Sequence, residues 1–144
     1  MPLTETHLRY LFAIHECAAQ HQDLSSRVLA DRLGVKKPSV VRLLEVLMEK
    51  KLIVKKHYGK IYLTDRGAFT VRYYTRLLKR TLEDFPDYGF PVSEEQRRSA
   101  ALALVAALPD EDYRCQYEAL FEEPSKSVDA EPQERSATAK LAGM

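Results

Sequence analysis

Between Lys36 and Arg42 the chain sets out two ammonium groups, a hydroxyl and a guanidinium (Lys36, Lys37, Ser39, Arg42), with Pro38 among them. These groups suit recognition of a nucleic-acid duplex. The Arg42 guanidinium can pair with guanine O6 and N7 through two hydrogen bonds, worth about 1–3 kcal/mol of discrimination. Ser39 suits a base edge or a phosphate, and Pro38 offers apolar contact to a thymine methyl. Lys36 and Lys37 suit phosphates, which position a protein without reading sequence. Lys55, Lys56, His57 and Lys60 form a second basic group, and Arg27 is a further phosphate candidate. Surface lysines are more often an ordinary solvated face, the reading given to Lys50 and Lys51. Those of a hairpin can equally guard an exposed sheet edge.

Other chemistries are poorly supplied. Cys17 and His21 stand four residues apart, a ligand spacing on a helix, but two ligands are too few for a metal centre. Glu16 with His15 adds little, since adjacent residues point to different faces. Cys115 beside Arg114 is a redox candidate only if its thiol pKa is lowered. Tyr73, Tyr74, Tyr88, Phe90, Tyr113 and Tyr117 suit helix packing better than a ligand pocket. A Gly-rich phosphate loop and a nucleophile–base pair are both missing, so the chain does not read as an enzyme. Ser25 and Ser26 read as a helix cap.

The elements that would position these residues follow from apolar spacing. A first helix is predicted from about Thr4 to His21, with Leu8, Leu11, Phe12, His15 and Ala18 or Ala19 on one face. A short second helix, capped by Ser25 or Ser26, places Val28, Leu29 and Leu33 together and stops at Gly34. Pro38 opens a third, whose stripe is Val40, Leu43, Leu44 and Leu47. Leu52–His57 and Lys60–Leu63 read as two strands around a Tyr58-Gly59 turn. Thr64 or Asp65 then caps a helix striped by Val71, Tyr74, Leu78, Leu82 and Phe85. After a break at Pro86–Pro91, Ser93 and Gln96 form a capping box. The helix it opens is apolar all round from Ala100 to Leu108, which calls for burial on all sides and hence for a partner subunit. Tyr113, Tyr117, Leu120 and Phe121 mark a last helix.

The chain has 144 residues and a net charge of +1. That balance hides an asymmetry: residues 1–82 carry 16 Lys+Arg against 7 Asp+Glu, and residues 83–144 carry 6 against 14. One basic part and one acidic part point to a polyanion at the first. Residues 123–144 lack the apolar content to fold and are expected to be a disordered tail. Two cysteines exclude a disulfide framework, and the start lacks a signal-peptide layout, so a cytoplasmic location is expected. No apolar run is long enough for a membrane span.

Two helices, a Gly-containing turn, a third helix and a hairpin give the order of a winged helix-turn-helix. The expected fold is mainly α: this winged helix-turn-helix of three helices and a two-stranded wing over residues 1–66, then an all-helical dimerisation region over 67–122. The stretch Leu24–Gly67 resembles the DNA-binding domain of the diphtheria-toxin-repressor and manganese-transport-regulator family. The matching residues are Leu29-Ala30-Asp31-Arg32-Leu33-Gly34-Val35, Pro38-Ser39-Val40 and Leu63-Thr64-Asp65-Arg66-Gly67. Multiple-antibiotic-resistance regulators share these pieces. Leu82-Glu83-Asp84-Phe85, Val92-Ser93-Glu94-Glu95, the Ala-rich helix and Leu108-Pro109-Asp110-Glu111 follow the first family's dimerisation region.

The resemblance implies a homodimeric transcriptional regulator activated by Mn(II) or Fe(II). Carried over, its metal ligands fall at Thr6 and Arg9, near Leu78 or Lys79, and near Leu102, Val105 and Ala106. None has the imidazole, thiolate or carboxylate that these ions require. The expectation is therefore a regulator without a metal cofactor, a homodimer that binds double-stranded DNA and represses by occluding promoters. Its DNA-contacting residues are Arg27, Lys36, Lys37, Pro38, Ser39, Arg42 and Lys60. The alternatives are a degenerate winged-helix module that binds protein, and a regulator of the multiple-antibiotic-resistance type that senses a small ligand.

Overall fold

The computed structural model describes residues 2–122; the tail expected over 123–144 lies outside them. Helix α1 (Glu5–Ala19) begins at a capping box. The His7 N–H donates to Thr4 Oγ1 at 3.2 Å, and the Thr4 N–H donates back to His7 Nδ1 at 3.0 Å. A histidine thus does what glutamate or glutamine ordinarily does in this motif. Leu8, Leu11, Ile14 and Cys17 are buried at helical spacing. Helix α2 (Ser26–Leu33) is capped by Ser25 and ends at Gly34, whose φ of 68° is the left-handed conformation a helix C-terminus favours. Arg32 in its last turn donates to Glu16 Oε1 at 2.7 Å, tying α2 to α1.

Helix α3 (Lys37–Glu49) carries Pro38 in its first turn and buries Val40, Leu44 and Leu47. On α2 the buried residues are Ser26, Leu29 and Ala30, while the Val28 expected beside them is exposed. Positions 26, 29 and 30 share a face at three- and four-residue spacing, and Val28 falls about a third of a turn away from Leu29.

Strands β1 (Ile53–Lys55) and β2 (Ile61–Leu63) pair antiparallel, with Ile53 opposite Leu63 and Lys55 opposite Ile61. They are shorter than the predicted runs because the chain leaves the ladder for a tight turn over His57–Gly59. The hairpin is fixed at its base. The Ile61 N–H donates to the Leu24 carbonyl at 3.0 Å, and the Thr64 N–H to the Leu52 carbonyl at 3.0 Å. Thr64 also caps helix α4 (Asp65–Glu83), accepting from the Gly67 N–H.

Phe69, Val71, Tyr73, Tyr74 and Leu78 are the buried face of α4, which packs on α1 and on helix α5 (Glu94–Ala107). The Ser93–Gln96 capping box opens α5 as expected. Ala101, Leu102 and Val105 are buried, but Leu104 is 49% exposed and Leu108 44%. One side of the apolar helix is therefore covered within the chain and the other faces outward. The chain through Asp110 is one compact unit. A second unit contains helix α6 (Glu111–Phe121), along which the Tyr113, Tyr117 and Phe121 rings follow one another at 5.7 and 5.2 Å.

The buried His7 makes the fold acid-sensitive. Burial, reinforced by the Lys50 ammonium, lowers its pKa from the ordinary imidazole value. The unfolded chain then takes up a proton more readily than the folded one as pH falls below about 6.5, so stability drops across that window and is unaffected above it. Protonation at Nδ1 also removes the acceptor for the Thr4 N–H. Thermal melts taken from neutral to mildly acidic pH should show this loss. His7→Gln, which keeps an acceptor at the capping position, should flatten it; an unchanged acid slope in that variant would place the effect elsewhere.

Candidate nucleic-acid interface

Helix α3 is held by its apolar stripe against the scaffold, which turns its opposite face outward. Lys36, Lys37, Pro38, Ser39 and Arg42 are all exposed at the start of this helix. Helices α1, α2, α4 and α5 open with the side-chain caps Thr4, Ser25, Thr64 and Ser93, whereas Lys36 provides no side-chain cap to α3. Its first turn contains no acidic residue. The positive end of the helix dipole and two ammonium groups therefore coincide, an arrangement that favours an anion such as phosphate.

Lys37, Pro38, Val41, Arg42 and Glu45 line a shallow surface groove of about 410 Å³. Val41 and Glu45 were not among the sequence candidates. Their signal is nonetheless helical spacing, because positions 38, 41, 42 and 45 fall on one face. An exposed valine there offers apolar contact to a thymine methyl, and a carboxylate can accept from cytosine N4. The other sequence candidates stand on separate elements. Arg27 is exposed on α2, and Lys60 follows the hairpin turn with its Nζ 3.4 Å from Asp23 Oδ2. So exposed a pair contributes little energy, and Lys60 can exchange Asp23 for another anion. Lys56 lies over the Tyr62 ring, 5.6 Å from its centroid.

The remaining constellations divide. Cys17 is fully buried in α1, while His21 lies beyond the end of that helix with a left-handed φ of 57°, so the two share no helix face. Tyr73 and Tyr74 are core, and burial pushes the Tyr74 phenol up to about 12. Tyr88 and Phe90 are exposed and stacked on each other, 6.0 Å apart. Together with Phe85, Val92, Ala100 and Leu104 they line an open groove of about 930 Å³.

The positions onto which the resemblance carries the family's metal ligands can be read in the structure. Leu78, Leu102 and Val105 are buried apolar side chains, and Arg9 brings a guanidinium that is paired with Glu5 at 2.6 Å. Among the described residues no three His, Cys, Asp or Glu side chains converge on a point that could hold an ion. These residues do not fit a Mn(II) or Fe(II) centre. Among the described residues no helix is long and apolar enough to cross a membrane.

A family model described as the MarR family matches residues 1–58, from α1 into the hairpin. Among solved structures, a hypothetical protein of Sulfolobus solfataricus aligns with a TM-score of 0.60 at 18% identity, over 85% of this chain and 92% of its own. The manganese regulator SloR gives 0.61 at 18%, over 83% and 54%. The IdeR of T. acidophilum gives 0.56 at 20%, over 92% and 65%. The chain thus spans about half the length of SloR and just under two thirds of that IdeR. No curated protein matches the sequence at a significant level. What is shared at these identities is the fold: a winged helix-turn-helix followed by helices, as the resemblance in the sequence led one to expect.

Proposed function

We propose that the protein is a transcriptional regulator that binds double-stranded DNA as a homodimer and needs no metal to do so. Residues 1–66 are the DNA-binding part and residues 67–122 the dimerisation region. The observation that carries this is the start of α3, uncapped, free of acidic residues and basic, on a fold shared with named metal-dependent regulators. Arg42 reads a guanine, Pro38 and Ser39 approach base edges, and Lys36, Lys37, Arg27 and Lys60 engage phosphates. Bound across a promoter, such a dimer represses by occlusion. It acts by binding alone, with no catalytic step.

Independence from metal is supported by the apolar packing of Leu78, Leu102 and Val105 in place of ligands. Dimerisation is supported by the outward side of α5 and the adjacent Tyr88–Phe90 stack, which leave a continuous apolar face in water. Leu104 belongs to it, lining the groove beside Tyr88 and Phe90. Leu104→Glu should convert dimer to monomer in sedimentation experiments, raising the dimer Kd by roughly 30-fold or more, the effect of removing an interface hot spot. Its helical circular dichroism should persist, because the side chain is half exposed. A dimer of unchanged strength would locate the interface elsewhere.

A salt titration of duplex binding tests the DNA reading. Neutralising Z phosphates gives a slope of about −0.9Z in log affinity against log salt. A steep slope supports DNA binding, whereas the absence of any duplex binding would leave a module that binds protein.

A further inference from the structure

We infer that Tyr58, at the tip of the wing, is a DNA contact: its ring packs against the sugar edge of the minor groove and its phenol O–H donates to a phosphate. Tyr58 is 96% exposed, and its φ of 62° and ψ of 24° place it in the left-handed region. Each feature alone is unfavourable. A non-glycine residue with an aromatic side chain is strained in that conformation, where glycine or asparagine is not. A phenol ring left wholly in water adds nothing to folding. A hairpin that needed only to turn would be better served by a small residue, especially with Gly59 already supplying a second positive φ of 73°.

The surroundings indicate what the ring meets. The tip is flanked by Lys55, Lys56 and Lys60, and backbone hydrogen bonds close the turn that carries Tyr58. The Lys56 N–H donates to the Lys60 carbonyl at 2.7 Å, and the Gly59 N–H to the Lys56 carbonyl at 3.0 Å. His57 accompanies it, with ring centroids 6.4 Å apart. An aromatic ring presented among lysines on a closed turn matches a surface that is anionic at its edges and apolar between them. A sugar–phosphate backbone is such a surface. The cations find phosphates, and the ring finds deoxyribose carbons and base edges.

This inference rests on the DNA-binding function proposed above, and one experiment separates the two. The dimeric full chain is titrated onto a fluorescein-labelled mixed-sequence duplex over a range of salt concentrations. Wild type, Tyr58→Gly, Tyr58→Phe and Lys60→Ala are compared, with thermal melts of each free protein. Tyr58→Gly should weaken binding by roughly 5- to 100-fold, the range for losing an aromatic contact to a nucleic acid. Its salt slope should stay unchanged, since no charge is lost, and its melting temperature should equal or exceed wild type because the strain is relieved. Tyr58→Phe should lose only the smaller share due to the hydroxyl. Lys60→Ala should behave oppositely, lowering the magnitude of the slope by about 0.9 per phosphate contact removed. Wild-type affinity in Tyr58→Gly, with wild type itself binding, would overturn the role of Tyr58 and leave the function standing. No binding by wild type would overturn both.

Discussion

Gly67→Ala should lower the melting temperature of the protein by roughly 3–8 °C, although alanine is the better helix former. Gly67 lies in the first turn of α4, directly against the chain entering β1. A Cβ built there would overlap the Leu52 carbonyl oxygen and approach Leu63 Cδ2 to 3.0 Å. The intrinsic gain from glycine to alanine within a helix is about 1 kcal/mol. Overpacking a rigid site costs about 1–3 kcal/mol or more, and backbone cannot rotate away as a side chain can. The clash therefore wins. The Leu52 carbonyl already accepts from the Thr64 N–H, so its displacement would loosen the joint that fixes the wing to α4. Scanning calorimetry checks the prediction. A melting temperature at or above wild type would show that the hairpin base yields easily and that its close approach to α4 is incidental.

The second large effect concerns sequence reading. Arg42→Ala should cost about 1–3 kcal/mol per half-site, or roughly 2–6 kcal/mol across a two-fold site. Binding to the preferred duplex should approach binding to random duplex, and base preference should relax at one position in each half-site. Arg42→Lys separates geometry from charge. It retains the phosphate attraction and loses the rigid fork, so specific binding should fall while the salt slope is kept. A selection that returns the same preferred site for Arg42→Ala would show that the outward face of α3 does not read bases.

Features that depend on neighbours in sequence were legible there. Gly34 announced the end of α2, Ser93 with Gln96 the start of α5, and Val40, Leu44 and Leu47 the buried stripe of α3. The exposed basic start of α3 was legible as well, since Lys36 and Lys37 stand at the helix N-terminus marked by Pro38 and Arg42 lies away from that stripe. Elements set by tertiary contact were not legible. Nothing local marks Gly67 as the residue that admits the Leu52 backbone. The run Ala100–Leu108 carries no period, so the inward turn of Val105 and the outward turn of Leu104 emerge only from packing on α4 and α1. Val41 and Glu45 could have been placed by extending the spacing from Pro38 and Arg42. Tyr58 could not, because a tyrosine beside a glycine predicts a turn without revealing which of the two takes a strained conformation.

The proposed independence from metal has a consequence for control. Leu78, Leu102 and Val105 are buried and carry no atom that could ligate a dication, and the function proposed above therefore has no metal-dependent step. Affinity for DNA should then be indifferent to chelators.

The most direct test is a selection of genomic fragments by the purified protein, run in chelator and in parallel with Mn(II) and with Fe(II). The same palindromic site should be enriched under all three conditions, with half-sites about one helical turn or a multiple of it apart. Enrichment only in the presence of metal, or of no site at all, would contradict a regulator that binds DNA without metal.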